Sequence, residues 1–227
     1  MIGEPVALTV RRHIDRPSKT LLRAFAGRPT GYVTDARDGA GCLDAAIKPL
    51  KPDMRFCGPA VTAFCGPMDN LAAMAILDFA RKGDVIVIAT TGDETAATIG
   101  DLWALWARRI GVAAIVCDGL VRDVPGLLKA GIPVFARGVK PNSSFKHGPG
   151  EINMGVCCGG VTIHPGDIVS GDQDGVVVVP LARAAEVARQ LEEVERKEAE
   201  AEAKVKRGEK LKFWDPVALQ GRIRYVD

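Results

Sequence analysis

The sequence predicts an α/β fold: a partly parallel sheet, an added antiparallel β layer, and a long helix at the C-terminal end. Three observations predict it. The run VIVIA at Val85–Ala89 is continuous and β-branched, as in strands covered on both faces, and it opens a β-α-β-α-β rhythm that lasts to residue 136. After that point short apolar stretches alternate with Gly-Gly, Pro-Gly-Asp and Gly-Asp-Gln-Asp-Gly turns, which mark hairpins. Finally, residues 181–207 are rich in charge and in good helix formers and contain neither Gly nor Pro.

In chain order, residues 19–25 read as a helix ending near Gly27, 35–42 (DARDGAGC) as a loop, and 43–47 as weakly helical. A strand is expected at 60–64. Residues 70–81 carry apolar positions at helical spacing, and Lys82-Gly83-Asp84 stops them. Helix 100–109, strand 113–117, an Asp118-Gly119 turn, helix 124–130 and strand 134–136 complete the α/β half. The antiparallel layer is read from strands at 154–156, 161–163, 167–170 and 175–179. The last helix would span about 40 Å at 1.5 Å per residue. Its apolar stripe (Ala184, Val187, Leu191, Val194) is narrow and fades after 194, as on a solvated helix or on an arm packed against a neighbouring copy. The division expected is one α/β/β domain over 1–180 and a helical arm over 181–227. Apolar residues with Phe213 and Trp214 return at 211–227 and should dock on something.

Composition excludes several classes. Of 227 residues 47% are apolar, ample for a core. A formal net charge of +2 and a pI of 8.2 are too balanced for a nucleic-acid or membrane-binding face. No run reaches the roughly 18 apolar residues of a membrane span. The start MIGEPVALTVRRHID lacks the apolar core of a secretory leader, so a cytoplasmic protein is expected. Six cysteines (Cys42, Cys57, Cys65, Cys117, Cys157, Cys158) form no C-x2-C pair and read as reduced, mostly buried small hydrophobes. His13, His147 and His164 sit in loop contexts, and Asp172-Gln173-Asp174-Gly175 reads as a hairpin turn rather than a calcium loop. No phosphate-binding, zinc-protease or nucleophile-elbow motif is present.

One constellation carries chemistry. Asp101 is followed, after twenty intervening residues, by Arg122-Asp123. The segment between reads helix, strand, turn, so both of its ends can meet at one edge of a sheet. Each residue also has a plain alternative, Asp101 as a helix N-cap and Arg122-Asp123 as a surface pair. Yet Arg122 and Asp123 follow a strand at its carboxyl end, where α/β sheets bind ligands. A helix opened by Gly100-Asp101 offers the N–H groups of Leu102 and Trp103 to an anion. Two carboxylates and a guanidinium there suit a hard divalent cation and an anionic oxo acid.

On these residues the chain resembles the RraA-like superfamily. This superfamily contains the class II 4-hydroxy-4-methyl-2-oxoglutarate / 4-carboxy-4-hydroxy-2-oxoadipate aldolases and the regulator of ribonuclease E activity. Its D-x20-R-D signature appears as Asp101…Arg122-Asp123, accompanied by VCDGLVRD, GIPVFARG, GPGEIN and PGDIVSGDQDGVVVVP. The resemblance covers residues 30–180 well and the C-terminal arm more loosely.

The resemblance implies an α/β/β sandwich assembled as a homotrimer or homohexamer with sites between subunits. It implies that Asp123 ligates Mg2+, Mn2+ or another divalent metal and that Asp101 holds metal-bound waters. Arg122 would bind a 2-oxo acid and offset charge at its oxygens, with Gly100, Leu102 and Trp103 lining the substrate. A glutamate from a neighbour's arm, Glu198 by its context with Glu195 as a rival, would complete the water shell. The implied activity is metal-dependent cleavage of a 4-hydroxy-2-oxo diacid to pyruvate and a second oxo acid through a pyruvate enolate, with oxaloacetate decarboxylation alongside. The alternative is a protein-binding regulator of ribonuclease activity without catalysis, although that regulator resembles a shorter version lacking the arm. The terminal segment KLKFWDPVALQGRIRYVD departs from the family pattern, and no residue stands out in the sequence as a binder of the substrate's distal carboxylate.

Overall fold

The structure is a computed structural model and describes residues 6–215, 217–224 and 226. The first five residues, part of the stretch read as lacking a leader, lie outside it, as do Pro216, Tyr225 and Asp227 of the terminal segment.

Strand β1 (Leu8–Val10), helices α1 (Lys19–Phe25) and α2 (Thr30–Asp35), and the two-residue β2 (Lys48–Pro49) precede the long β3 (Phe56–Cys65). Helix α3 (Leu71–Ala75), tightened into a 3-10 turn at Ile76–Asp78, leads to β4 (Val85–Ala89). Next come β5 (Ala97–Ile99), α4 (Asp101–Ile110), β6 (Ala114–Val121), α5 (Val124–Ala130) and β7 (Val134–Val139). The chain then adds β8 (Gly150–Ile152), the hairpin β9–β10 (Val156–Cys158 and Val161–Ile163), the hairpin β11–β12 (Ile168–Asp172 and Gly175–Val179) and α6 (Ala184–Lys206).

The main sheet runs β1-β8-β3-β4-β6-β7-β2, with β3, β4, β6 and β7 mutually parallel. Strand β3 belongs to two layers at once. Ala60–Phe64 pair with β4, while Phe56–Pro59 pair antiparallel with β11, which carries β12 on its other side. The period of two along each strand then divides the core. In β4, Ile86 and Ile88 face α3, α4 and α5, whereas Val85, Val87 and Ala89 face Val156, Ile163, Val169 and Val178 of the second β layer. The outer side of that layer buries Val177 and Val179 against Phe25, Val33, Ala184, Val187 and Leu191 of α1, α2 and α6. The α/β/β sandwich thus has a further helical layer over its second sheet. The apolar stripe of α6 rests on its own chain through Leu191; beyond Val194 the helix is largely exposed.

The structure departs from expectation at several elements. Residues 43–47 form a turn rather than a helix, because Asp44 Oδ1 accepts the Ala46 N–H at 2.9 Å while Leu43 and Ile47 are buried. The helix expected over 70–81 ends at Ala75 in a tighter 3-10 turn, a common finish for a helix. Asp118-Gly119 is no turn: β6 continues through it to Val121, with an irregular register against β7. A buried aspartate is tolerated there because its oxygens accept the Thr90 N–H and hydroxyl (2.6 and 3.0 Å) and the Gly159 N–H (3.3 Å). The strand expected at 154–156 lies at Val156–Cys158, and β1, α2, β2, β5 and β8 have no counterpart among the expected elements. All six cysteines are free; Cys65, Cys117 and Cys158 are buried and Cys42 and Cys157 exposed. No described helix is long and apolar enough to cross a membrane.

Candidate functional site

Helices α4 and α5 begin side by side beyond the carboxyl ends of β5 and β6, and the contact between them builds the site. Strand β5 hands directly to α4 through Gly100, and the Arg122 N–H bonds the Ile99 carbonyl at 3.0 Å, so the ends of β5 and β6 are locked together. Asp101, Arg122 and Asp123 are thereby brought to one place.

Asp101 is the first residue of α4, not its cap; Gly100 holds the cap position. Its Oδ1 accepts the Leu102 N–H at 2.7 Å. Of the two N–H groups expected to face an anion, that of Leu102 is therefore taken, which leaves Trp103 of the pair. Asp123 does occupy a cap position, before α5, yet its side chain makes no capping bond. Its backbone is left-handed (φ 60°), a conformation uncommon outside glycine that aspartate adopts more readily than most residues. The carboxylate turns instead toward α4 and lies 3.5 Å from Arg122 Nε.

Two glycines make the approach possible. A Cβ at Gly100 would stand 2.5 Å from Asp123 Oδ2 and 3.3 Å from Arg122 Nε. One at Gly126 would stand 2.4 Å from Asp101 Cβ and 2.5 Å from its Oδ2. Each aspartate lies over a bare glycine at the start of the other helix. The two helix N-termini add partial positive charge to the same place.

The cleft, of about 280 Å3, is lined by Gly100, Asp101, Leu102, Trp103, Arg122 and Asp123. Met74 and Asn70 stand on one wall and Ser143, Ser144 and Lys146 on another. Asn70 Nδ2 donates to the Thr98 carbonyl and Trp103 Nε1 to that of Ala73, which fixes the α3 wall. The loop of Lys146 was missed from sequence, since a single lysine in a Gly/Pro-containing loop has no pattern to betray it. Arg122 and Asp123 are 41% and 42% exposed at their side chains, open enough to meet a solute.

The donor set fits a divalent cation as far as one chain goes. Two carboxylates line one cleft, each where a Cβ at a facing glycine would intrude, and oxygen is the ligand Mg2+ prefers. Among the described residues, however, no group of three or more His, Cys, Asp or Glu side chains stands close enough to hold a metal. The C-terminal glutamates differ in availability. Glu195 is held by Arg28 of its own chain at 2.8 Å, and Glu193 and Glu200 by Arg196, whereas Glu198 makes no ion pair among the described residues.

Comparison with known proteins places this geometry in context. The family model of RraA-like proteins, described as Aldolase/RraA, matches residues 30–178. A Halalkalibacterium halodurans protein named "Putative 4-hydroxy-4-methyl-2-oxoglutarate aldolase" is 40% identical over 81% of this chain and 86% of its own. A solved Pseudomonas syringae pv. tomato structure superposes with a TM-score of 0.78 at 27% identity, covering 86% of this chain and 92% of that one. Streptomyces coelicolor RraAS2, described as an unusual member of the RNase ES inhibitor RraA protein family, gives 0.75 at 27% identity, covering 84% and 99%.

Proposed function

The chain belongs to the RraA-like family, Aldolase/RraA, and on that footing we propose that it is a divalent-metal-dependent carbon–carbon lyase. Its substrate would be a 4-hydroxy-2-oxo diacid, cleaved to pyruvate and a second oxo acid, with oxaloacetate decarboxylation as a side activity. The observation that carries this reading is the reciprocal seating of Asp101 over Gly126 and of Asp123 and Arg122 over Gly100. The two glycines leave both carboxylates and the guanidinium facing one cleft, an arrangement that suits a cation and an oxo acid.

Asp123 would hold the metal directly, with Asp101 and the Glu198 of a neighbouring copy in its outer shell. When bound, the metal would draw electron density from the 2-oxo acid it chelates. Arg122 would offset the negative charge that grows on the oxo acid's oxygens as the bond between C3 and C4 breaks, and stabilise it most in the transition state. The first turn of α4 orients the substrate's carboxylate with the Trp103 N–H. Lys146, which also lines the cleft, would supply the binder for the distal carboxylate that no sequence motif revealed.

A second reading has its own support. The likeness to RraAS2 is compatible with a surface that binds a ribonuclease and catalyses nothing. Replacement of Arg122 separates the two. Arg122→Ala should lower pyruvate release from a 4-hydroxy-2-oxo diacid and from oxaloacetate by about a hundredfold or more while leaving oligomer mass and melting temperature in place. Retained turnover in this variant would sink the role assigned to Arg122.

A further inference from the structure

The buried carboxylate of Asp69 has no place in the chemistry above, yet all of its hydrogen bonds go to the cleft's two walls. Asp69 is 7% exposed. Its Oδ2 accepts the N–H groups of His147 (2.5 Å) and Gly148 (3.0 Å), the two residues that follow Lys146. Its Oδ1 accepts the Leu71 N–H at 2.8 Å, at the start of the helix that carries Met74. On the other side of Lys146, the Phe145 N–H bonds the Met68 carbonyl (2.7 Å) and the Phe145 carbonyl receives the Asn70 N–H (2.9 Å). The loop is tied at its far edge too, where Ser144 Oγ donates to the Ala97 carbonyl and the Ala97 N–H to that of Asn142.

We infer that Asp69 is a positioning residue for Lys146: its carboxylate sets the distance between the α3 wall and the lysine that meets the substrate's distal carboxylate. This rests on the reading of the cleft as a diacid site. The chemistry of the side chain singles it out. Three backbone donors converge on two oxygens, and asparagine would bring an NH2 against at least one of them. Asp69→Asn therefore keeps the shape and loses the clamp.

The test compares full-length wild type, Asp69→Asn, Lys146→Met and the double variant, loaded with Mg2+, on 4-hydroxy-4-methyl-2-oxoglutarate. Asp69→Asn and Lys146→Met should each raise KM about tenfold or more, with a smaller change in kcat, and the double variant should be no worse than Lys146→Met alone. Inhibition by pyruvate, which lacks the distal carboxylate, should stay within about twofold of wild type in Asp69→Asn. Amide hydrogen exchange over residues 143–148 should quicken in Asp69→Asn. Effects that multiply in the double variant, an unchanged KM in Asp69→Asn, a weakened pyruvate inhibition, or an Asp69→Asn chain that does not fold would each overturn the proposal. A wild-type chain that releases pyruvate from no oxo acid would instead overturn the functional reading and take this one with it.

Discussion

At Gly100 and Gly126 the backbone is bare where a carboxylate passes over it, and this is where single substitutions should report most cleanly. Alanine at either position forces a methyl to within 2.5 Å of Asp123 Oδ2 or of Asp101's side chain, so the aspartate must leave its place. Gly126→Ala should cost about 1–3 kcal/mol of stability, as overpacking does, and at least about tenfold in kcat/KM. Thermal melting and steady-state kinetics on the same preparation check both; unchanged kinetics would mean that Asp101 has no stake in the chemistry. That Asp101, Arg122 and Asp123 meet in one cleft was legible in the sequence because spacing across a helix and a strand constrains where their ends fall. Lys146 was not legible: it enters the cleft from a loop whose course depends on the buried Asp69 and on pairing with residues 95–97 far away in the chain. Whether Leu102 offered a free N–H was likewise hidden, since that depended on the rotamer of Asp101.

Among the elements, β4, α5 and the hairpin strand β12 fall where apolar periodicity and turn residues put them, and α4 lies within a residue of its expected span. Strand β6 runs on because a buried aspartate found partners in Thr90 and Gly159, a tertiary fact that no local pattern announces. The layered core makes a chemical prediction. Burial pushes the thiols of Cys65 and Cys117 up to about 12 and that of Cys158 well above its ordinary value, so all three are protonated at pH 8. Native-state alkylation read by mass spectrometry should mark Cys42 and Cys157 first and reach these three only on unfolding; early labelling of any of them would contradict the layering. Helix α4 shows the opposite feature: Leu102, Leu105 and Trp106 stand 78%, 57% and 53% exposed in the single chain, beside the cleft. Replacement of Leu105 and Trp106 by serine should shift the mass seen by light scattering toward the monomer if that face is covered by another copy.

The molecule as a whole carries a cleft with two aspartates but, among the described residues, no cluster of three or more candidate metal ligands, and an arm whose outer half, with Glu198, is exposed and whose tail presents Phe213 and Trp214 to solvent. A site shared between copies predicts complementation. Arg122→Ala and Glu198→Gln, each with little activity, should regain a part of it when unfolded and refolded together, because mixed assemblies contain some sites with both residues intact. Mixtures no better than their parents would place every active group in one chain. The measurement that bears most directly on the account is pyruvate release from 4-hydroxy-4-methyl-2-oxoglutarate and from oxaloacetate by the wild-type chain, before EDTA, after EDTA and after Mg2+ or Mn2+ is restored. The account predicts release from both substrates, loss of nearly all of it on chelation and recovery on adding the metal back. Release that ignores EDTA, or none from either substrate with metal present, would contradict it.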